Sequence, residues 1–141
     1  MVISKTVILE RLKKLEQCLK RLKTMAQISE ADFLGSWRDQ DIADRNLQLA
    51  AEAVFDIANH IISEKGYEMP TTLEETFPVL QKNGILSENL YQRLQGLGRF
   101  RNLIVHEYMT IDYHKIYSYL QTHLVDFEAF AAEIGQFLKK S

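Results

Sequence analysis

The sequence predicts an all-α protein, an up-and-down bundle of four or five helices. Apolar residues recur at steps of three and four in every long segment, no stretch alternates with the period of a strand, and only 6 Gly and 2 Pro punctuate the 141 residues. At ~100–200 residues per domain, that length predicts a single domain over residues 1–141. Hydrophobic residues make up 46% and charged ones 26%, which excludes a disordered or collagen-like chain and predicts a fold with its own core.

Ile8, Leu12, Leu15, Leu19, Leu22 and Ala26 follow alternating steps of four and three, the pattern of a helix packed lengthwise on another, over about residues 3–27. Ser29 with Asp32 three residues on resembles a helix start, and a short turn through Phe33 and Trp37 follows. Asp39 or Asp41 then opens a long helix to about Lys65, with Ala50, Ala53, Val54, Ile57, Ile61 and Ile62 inward and Gly66 as its stop. Thr72 and Glu75 have capping-box spacing and predict a third helix to about Asn83, which Pro78 either kinks or delays. Ser87 caps a fourth helix whose stripe runs Leu90, Leu94, Leu97, Arg101, Ile104, so a charged residue stands where the pattern wants an apolar one. Asp112 caps the last helix, which carries Ile116, Leu120, His123, Leu124, Phe127, Ala131, Ile134 and Leu138 inward.

Several classes of function lack support. No apolar run approaches the ~18 residues of a membrane span and the opening MVISKTVILERLKK is no signal peptide, which predicts a cytoplasmic protein with no membrane partner. Cys18 stands alone, without a partner for a disulfide or a zinc pair, and reads as an inert thiol on a helix flank. The histidines at 60, 106, 114 and 123 lack metal-ligand spacing, and no glycine-rich phosphate loop is present, so neither metal nor cofactor is expected. His123, inside an apolar stripe, reads as a core histidine with a backbone partner. The formal charge is only −2, yet residues 1–23 hold Lys5, Arg11, Lys13, Lys14, Lys20, Arg21 and Lys23 against Glu10 and Glu16. That segregation suits either a solvated helix face or an anchor for phosphates or an acidic partner.

Chemistry concentrates in Arg99-Phe100-Arg101-Asn102-Leu103-Ile104-Val105-His106-Glu107-Tyr108. Arginine offers a permanent charge and a fork of donors matching phosphate oxygens, and histidine exchanges a proton near neutral pH. The pair suffices for metal-free RNA cleavage, in which a base deprotonates the 2′-OH and a cation stabilises the phosphorane. On a continuous helix Arg101 and His106 stand ~140° apart, so either the helix loosens near His106 or the site combines groups from two chains across a two-fold axis. Helix two presents a polar column of Arg45, Glu52, Asp56 and His60, and Glu52 is the first choice for a carboxylate that orients Arg101. A structural buried network around Arg101 and His106 is the competing reading of the same residues.

The run RNLIVHEY, Arg then four residues, His, one residue and Tyr, resembles the signature of the HepT branch of the HEPN ribonuclease superfamily. RNLQLAAEAVFDIANHII, GYEMP, ETFPVLQKNGIL and LVDFEAF resemble the same branch in order and spacing, so the likeness spans about residues 40–130. The resemblance implies a homodimeric HEPN-like bundle, a metal-independent endoribonuclease toxin acting on tRNA or mRNA, with Arg101 and His106 catalytic and Asn102 in support. It also implies a nucleotidyltransferase antitoxin of the MntA kind that transfers AMP to Tyr108; the competing reading of Tyr108 is a helix-end tyrosine with a satisfied hydroxyl. Two other readings stand beside the enzyme: a non-catalytic helical dimer that binds a nucleotidyltransferase or its nucleotide, and a plain dimerisation domain.

Overall fold

The computed structural model describes residues 4–141, without the side chain of Tyr108. Eight α-helices cover Lys5–Ala26 (α1), Glu30–Leu34 (α2), Trp37–Lys65 (α3), Thr76–Lys82 (α4), Glu88–Arg93 (α5), Leu97–His106 (α6), Tyr113–Thr122 (α7) and Leu124–Lys140 (α8). No strand occurs among the described residues. Short 3-10 turns at Leu73–Glu75 and Tyr108–Thr110 precede α4 and follow α6.

The long helices form an up-and-down frame, and the contacts between their ends set its directions. α1 runs antiparallel to α3, since the Ser4 amide donates to Glu64 at 2.6 Å and Arg21 donates to Asn46 at 3.4 Å. α5 and α6 follow as a second leg, with α6 packed against α3, and α8 descends beside α5, where Ser87 meets Glu133 and Arg93 meets Asp126. α7 closes one end: the Tyr117 hydroxyl donates to the Ile28 carbonyl and the Gln121 amide to that of Ala26.

The stripes read from the sequence face one continuous core. Ile8, Leu15 and Leu22 of α1, Leu47, Ile57 and Ile61 of α3, and Phe130 and Ile134 of α8 are completely buried. Removing such side chains from water at ~25 cal/mol per Å² of apolar area is the main favourable term holding the frame together. Cys18 belongs to this core as well: it lies between Leu15 and Leu19 on the inner face of α1, not on its flank, and burial pushes its thiol pKa up, against the nearby cations of Lys14, Arg21 and Arg45.

Four boundaries depart from the sequence reading. α3 begins at Trp37, because the Ser36 hydroxyl rather than Asp39 or Asp41 accepts the free amide, here that of Asp39 at 3.1 Å. The third helix starts at Thr76 behind a 3-10 turn, with Pro78 in its first turn; Glu75 accepts from the amide and hydroxyl of Thr71 and makes no capping box with Thr72. The fourth helix is two, α5 and α6, because Gly96 adopts φ 87°, a left-handed conformation that ends one helix and re-aims the next. The last helix is also two, parted at His123, whose ψ of −6° interrupts the α-helical run between α7 and α8.

Candidate functional site

Arg101 and His106 both belong to α6, and the break at Gly96 decides how α6 meets α3. Gly98 makes the approach possible: a Cβ added there would stand 2.9 Å from the Leu73 Cβ, so only glycine lets the Leu73–Glu75 turn lie against the first turn of α6. With the helix seated so, Arg101 faces α3 and its guanidinium reaches Glu52, Nη2 to Oε1 at 3.4 Å. Gln48, one turn before Glu52, donates to the same oxygen at 3.1 Å. Asn102 accepts from Arg101 Nη1 at 3.2 Å. Arg101 is therefore held from two sides, half-buried at 28% side-chain exposure, with Glu52 at 34%. At that exposure the ion pair contributes ~0–1 kcal/mol to stability, so its consequence is orientation more than cohesion.

His106 is placed differently. It is the last residue of α6, is exposed, and among the described residues its imidazole meets no hydrogen-bonding side chain. After it the helix ends at Glu107, whose amide still bonds back to Leu103 at 2.9 Å while its φ of −121° turns the chain away. The structure thus gathers Arg101, Asn102 and Glu52 and leaves His106 apart, on the exposed side of the same short helix. Tyr108 follows in the 3-10 turn, past the end of α6, and its side chain lies outside the described part of the structure.

The remaining polar candidates are accounted for locally. His60 sits 2.7 Å from Glu64, too obliquely for a hydrogen bond, and is not part of the Arg101 cluster. Among the described residues no group of three His, Cys, Asp or Glu side chains converges as a metal site. On α1, Lys23 pairs with Glu128 at 3.2 Å, Lys14 donates to Gln17 and Arg21 to Asn46, so much of the basic segment is a partnered surface of the frame.

His123 is a correction. It is half-buried, and its partner is a side chain: the Thr122 hydroxyl spends its proton on the Ser118 carbonyl and so accepts from His123 Nδ1 at 2.6 Å. The ring stacks on Tyr119 at 4.3 Å, which stacks in turn on Phe100 of α6 at 4.0 Å, with interplanar angles of 15° and 4°. The Tyr119 hydroxyl is kept protonated by its burial and by the neighbouring charge of Asp126. Sequence spacing exposed two of these rings, Tyr119 and His123 at i and i+4 on a helix face, but could not show that Phe100 would join them.

The comparisons with known proteins bear on the family and the fold. The family model described as ribonuclease HepT-like matches residues 15–134. A protein of Shewanella oneidensis named mRNA nuclease HepT is 29% identical over 88% of this chain and 92% of its own. One of Aphanizomenon flos-aquae named tRNA nuclease HepT is 32% identical over 96% of this chain and 92% of its own. Among solved structures, the tri-AMPylated HEPN toxin of Shewanella oneidensis in complex with an MNT antitoxin superposes with a TM-score of 0.83 at 28% identity, covering 92% of this chain and 97% of that one. With the family model spanning most of the chain and the bundle superposing on a HEPN toxin, this protein is a member of the HepT-like ribonuclease family.

Proposed function

We propose that the protein is a metal-independent endoribonuclease that cleaves tRNA or mRNA as the toxin of a toxin–antitoxin pair, with Arg101 and His106 as its catalytic residues. The observation that carries the proposal is the unequal placement of the two: Arg101 is a held cation braced by Glu52, and His106 is an exposed imidazole at the end of the same helix. In the reaction His106 takes the proton of a ribose 2′-OH, and the resulting alkoxide attacks the adjacent phosphorus. Arg101 stabilises the charge that builds on the phosphorane, the 5′-oxygen leaves and takes a proton from water, His106 releases to water the proton it had accepted, and a 2′,3′-cyclic phosphate remains. Asn102 fixes the second face of the guanidinium, and Glu52 sets its direction.

The geometry favours a site composed from two copies. Arg101 faces α3 while His106 lies ~140° around the helix, so one α6 aims the two at different volumes. A homodimer with the two α6 ends near its axis brings the His106 of one copy to the Arg101 of the other. The names of the relatives support an RNA substrate, an MNT antitoxin as partner and AMPylation of the toxin; the proposal adds that this partner is a nucleotidyltransferase and that AMP transferred to Tyr108 is the covalent off-switch.

Purified protein incubated with tRNA and mRNA in EDTA should produce 2′,3′-cyclic ends, and substrates 2′-deoxy at the cut position should resist. Mixing inactive Arg101→Ala with inactive His106→Ala protein tests the composite site. Mixed dimers restore one intact site, and hence about a quarter of wild-type activity in an equal mixture. Cleavage that strictly requires a divalent ion, or a mixture that stays inactive although mixed dimers form, rejects the corresponding half of the proposal. Mass mapping after incubation with the partner and Mg-ATP should place the added AMP on Tyr108.

A further inference from the structure

Beside the Arg101–Glu52 cluster, on the other side of α6, lies a cavity of about 440 Å³ between the α5–α6 leg and α7–α8. That size falls within the ~300–1,000 Å³ typical of small-ligand sites. Its wall includes the three stacked rings Phe100, Tyr119 and His123, the arginines Arg93 and Arg99, and the acidic residues Glu107 and Asp126. The two arginines differ in what they have left to offer. Arg93 is engaged by Asp126 at 3.1 Å, whereas Arg99 is exposed and among the described residues makes no ion pair.

Tyr119 has both faces occupied within the ladder, so a further ring can stack only on the outer faces of His123 or Phe100. Phe100 packs against the core, which leaves half-buried His123 as the accessible end. Flat apolar faces beside an unpaired guanidinium are what a nucleotide requires: stacking for its base, a forked donor for its phosphate.

The cavity also stands in register with the motif. Arg99 precedes His106 by seven residues, two turns or about 10 Å along α6, and the two lie within about 20° of one another around the helix axis. Arg99 therefore shares the exposed column of His106 and lines the cavity at the same time.

We infer that this cavity is a base-binding subsite for RNA, in which a nucleotide flanking the cut site stacks its base on the Phe100–Tyr119–His123 ladder and places its phosphate on Arg99. The inference rests on the ribonuclease reading for its substrate, and it makes Arg99 and His123 determinants of where the strand is cut, with no part in the bond cleavage itself. The same base-and-phosphate chemistry is offered by a free mononucleotide, and the test separates the two.

A 2′-O-methyl hexaribonucleotide carrying one 2-aminopurine cannot be cleaved through its 2′-oxygen, and its fluorescence is quenched when the base stacks. Titration with the wild-type dimer, or with His106→Ala, should give saturable quenching. His123→Ala should abolish the quenching, Arg99→Ala should weaken binding ~10-fold, and Lys139→Ala, far along α8, should match wild type. Because Arg99 is exposed, its variant tests the subsite even if His123→Ala perturbs the α7–α8 junction. No quenching in wild type, or both variants binding within twofold of it, overturns the inference. Binding of 5′-AMP as tight as that of the oligonucleotide overturns the RNA assignment. If quenching behaves as stated but RNA is never cut, the ribonuclease reading falls and the subsite stands; cleavage with unchanged cut sites in both variants is the reverse case and sinks the subsite.

Discussion

The α1–α3 pair and the end of α6 are built on opposite terms. α1 and α3 run for 22 and 29 residues, bury a stripe on every turn, and are tied at both ends by Ser4–Glu64 and Arg21–Asn46. α6 has 10 residues, starts at a left-handed glycine, and finishes on an exposed histidine. Length lets a helix gather enough buried area to be fixed by packing alone, while a short helix takes its position from its neighbours. The long pair supplies rigidity, and the short helix presents an imidazole to solvent. Stability and activity should therefore respond to different residues.

The widest separation is expected at His106 and Leu15. His106→Ala should lower RNA cleavage ~10²–10⁴-fold, as for loss of a general base, with a thermal midpoint close to wild type because the side chain is exposed and unpartnered among the described residues. Full activity in a folded His106→Ala protein would reject its role. Leu15→Ala should do the converse: the side chain is fully buried, so urea denaturation should show a loss of ~2–5 kcal/mol, with cleavage by the remaining folded protein little changed.

Gly98→Ala lies where the two regimes meet. The added methyl meets the Leu73 Cβ at 2.9 Å and must push α6 from the Leu73–Glu75 turn, at a cost of ~1–3 kcal/mol. Since the same seating aims Arg101 at Glu52, this substitution should reduce stability and cleavage together. A loss of stability alone would show that the aim of Arg101 does not depend on the seating.

The smallest effect is a pH dependence at the tie between α3 and α7. The Tyr113 hydroxyl donates to Asp44 at 2.5 Å, yet burial outweighs that bond and, with the charge of Asp41, pushes the Asp44 pKa up from its ordinary value. A carboxyl whose folded pKa is raised stabilises the fold below its unfolded value, ~3.9, and that contribution is lost as pH rises through the folded value. Thermal midpoints of wild type should thus fall slightly relative to Asp44→Asn as pH climbs from about 4 through the raised value. Parallel profiles would show that Asp44 ionises as freely in the fold as in the unfolded chain.

By itself the sequence determined what local periodicity and side-chain chemistry can dictate. The stripes of α1 and α3 are long enough to specify helix and buried face without reference to the rest of the chain, and all of Ala50, Ala53, Val54, Ile57, Ile61 and Ile62 lie inside. The charged interruption at Arg101 pointed to a carboxylate on α3, and Glu52 is the one in reach, because a half-buried guanidinium needs a partner and residues spaced by seven on a long helix keep one face. Tertiary structure decided the rest. A stripe carried through Leu94 and Leu97 cannot reveal that Gly96 will turn left-handed, since the same spacing is satisfied by one helix or by two. Nor can it show that Phe100 will meet Tyr119 and His123, because residues 19 and more apart in sequence stack only when two helices have already been placed side by side.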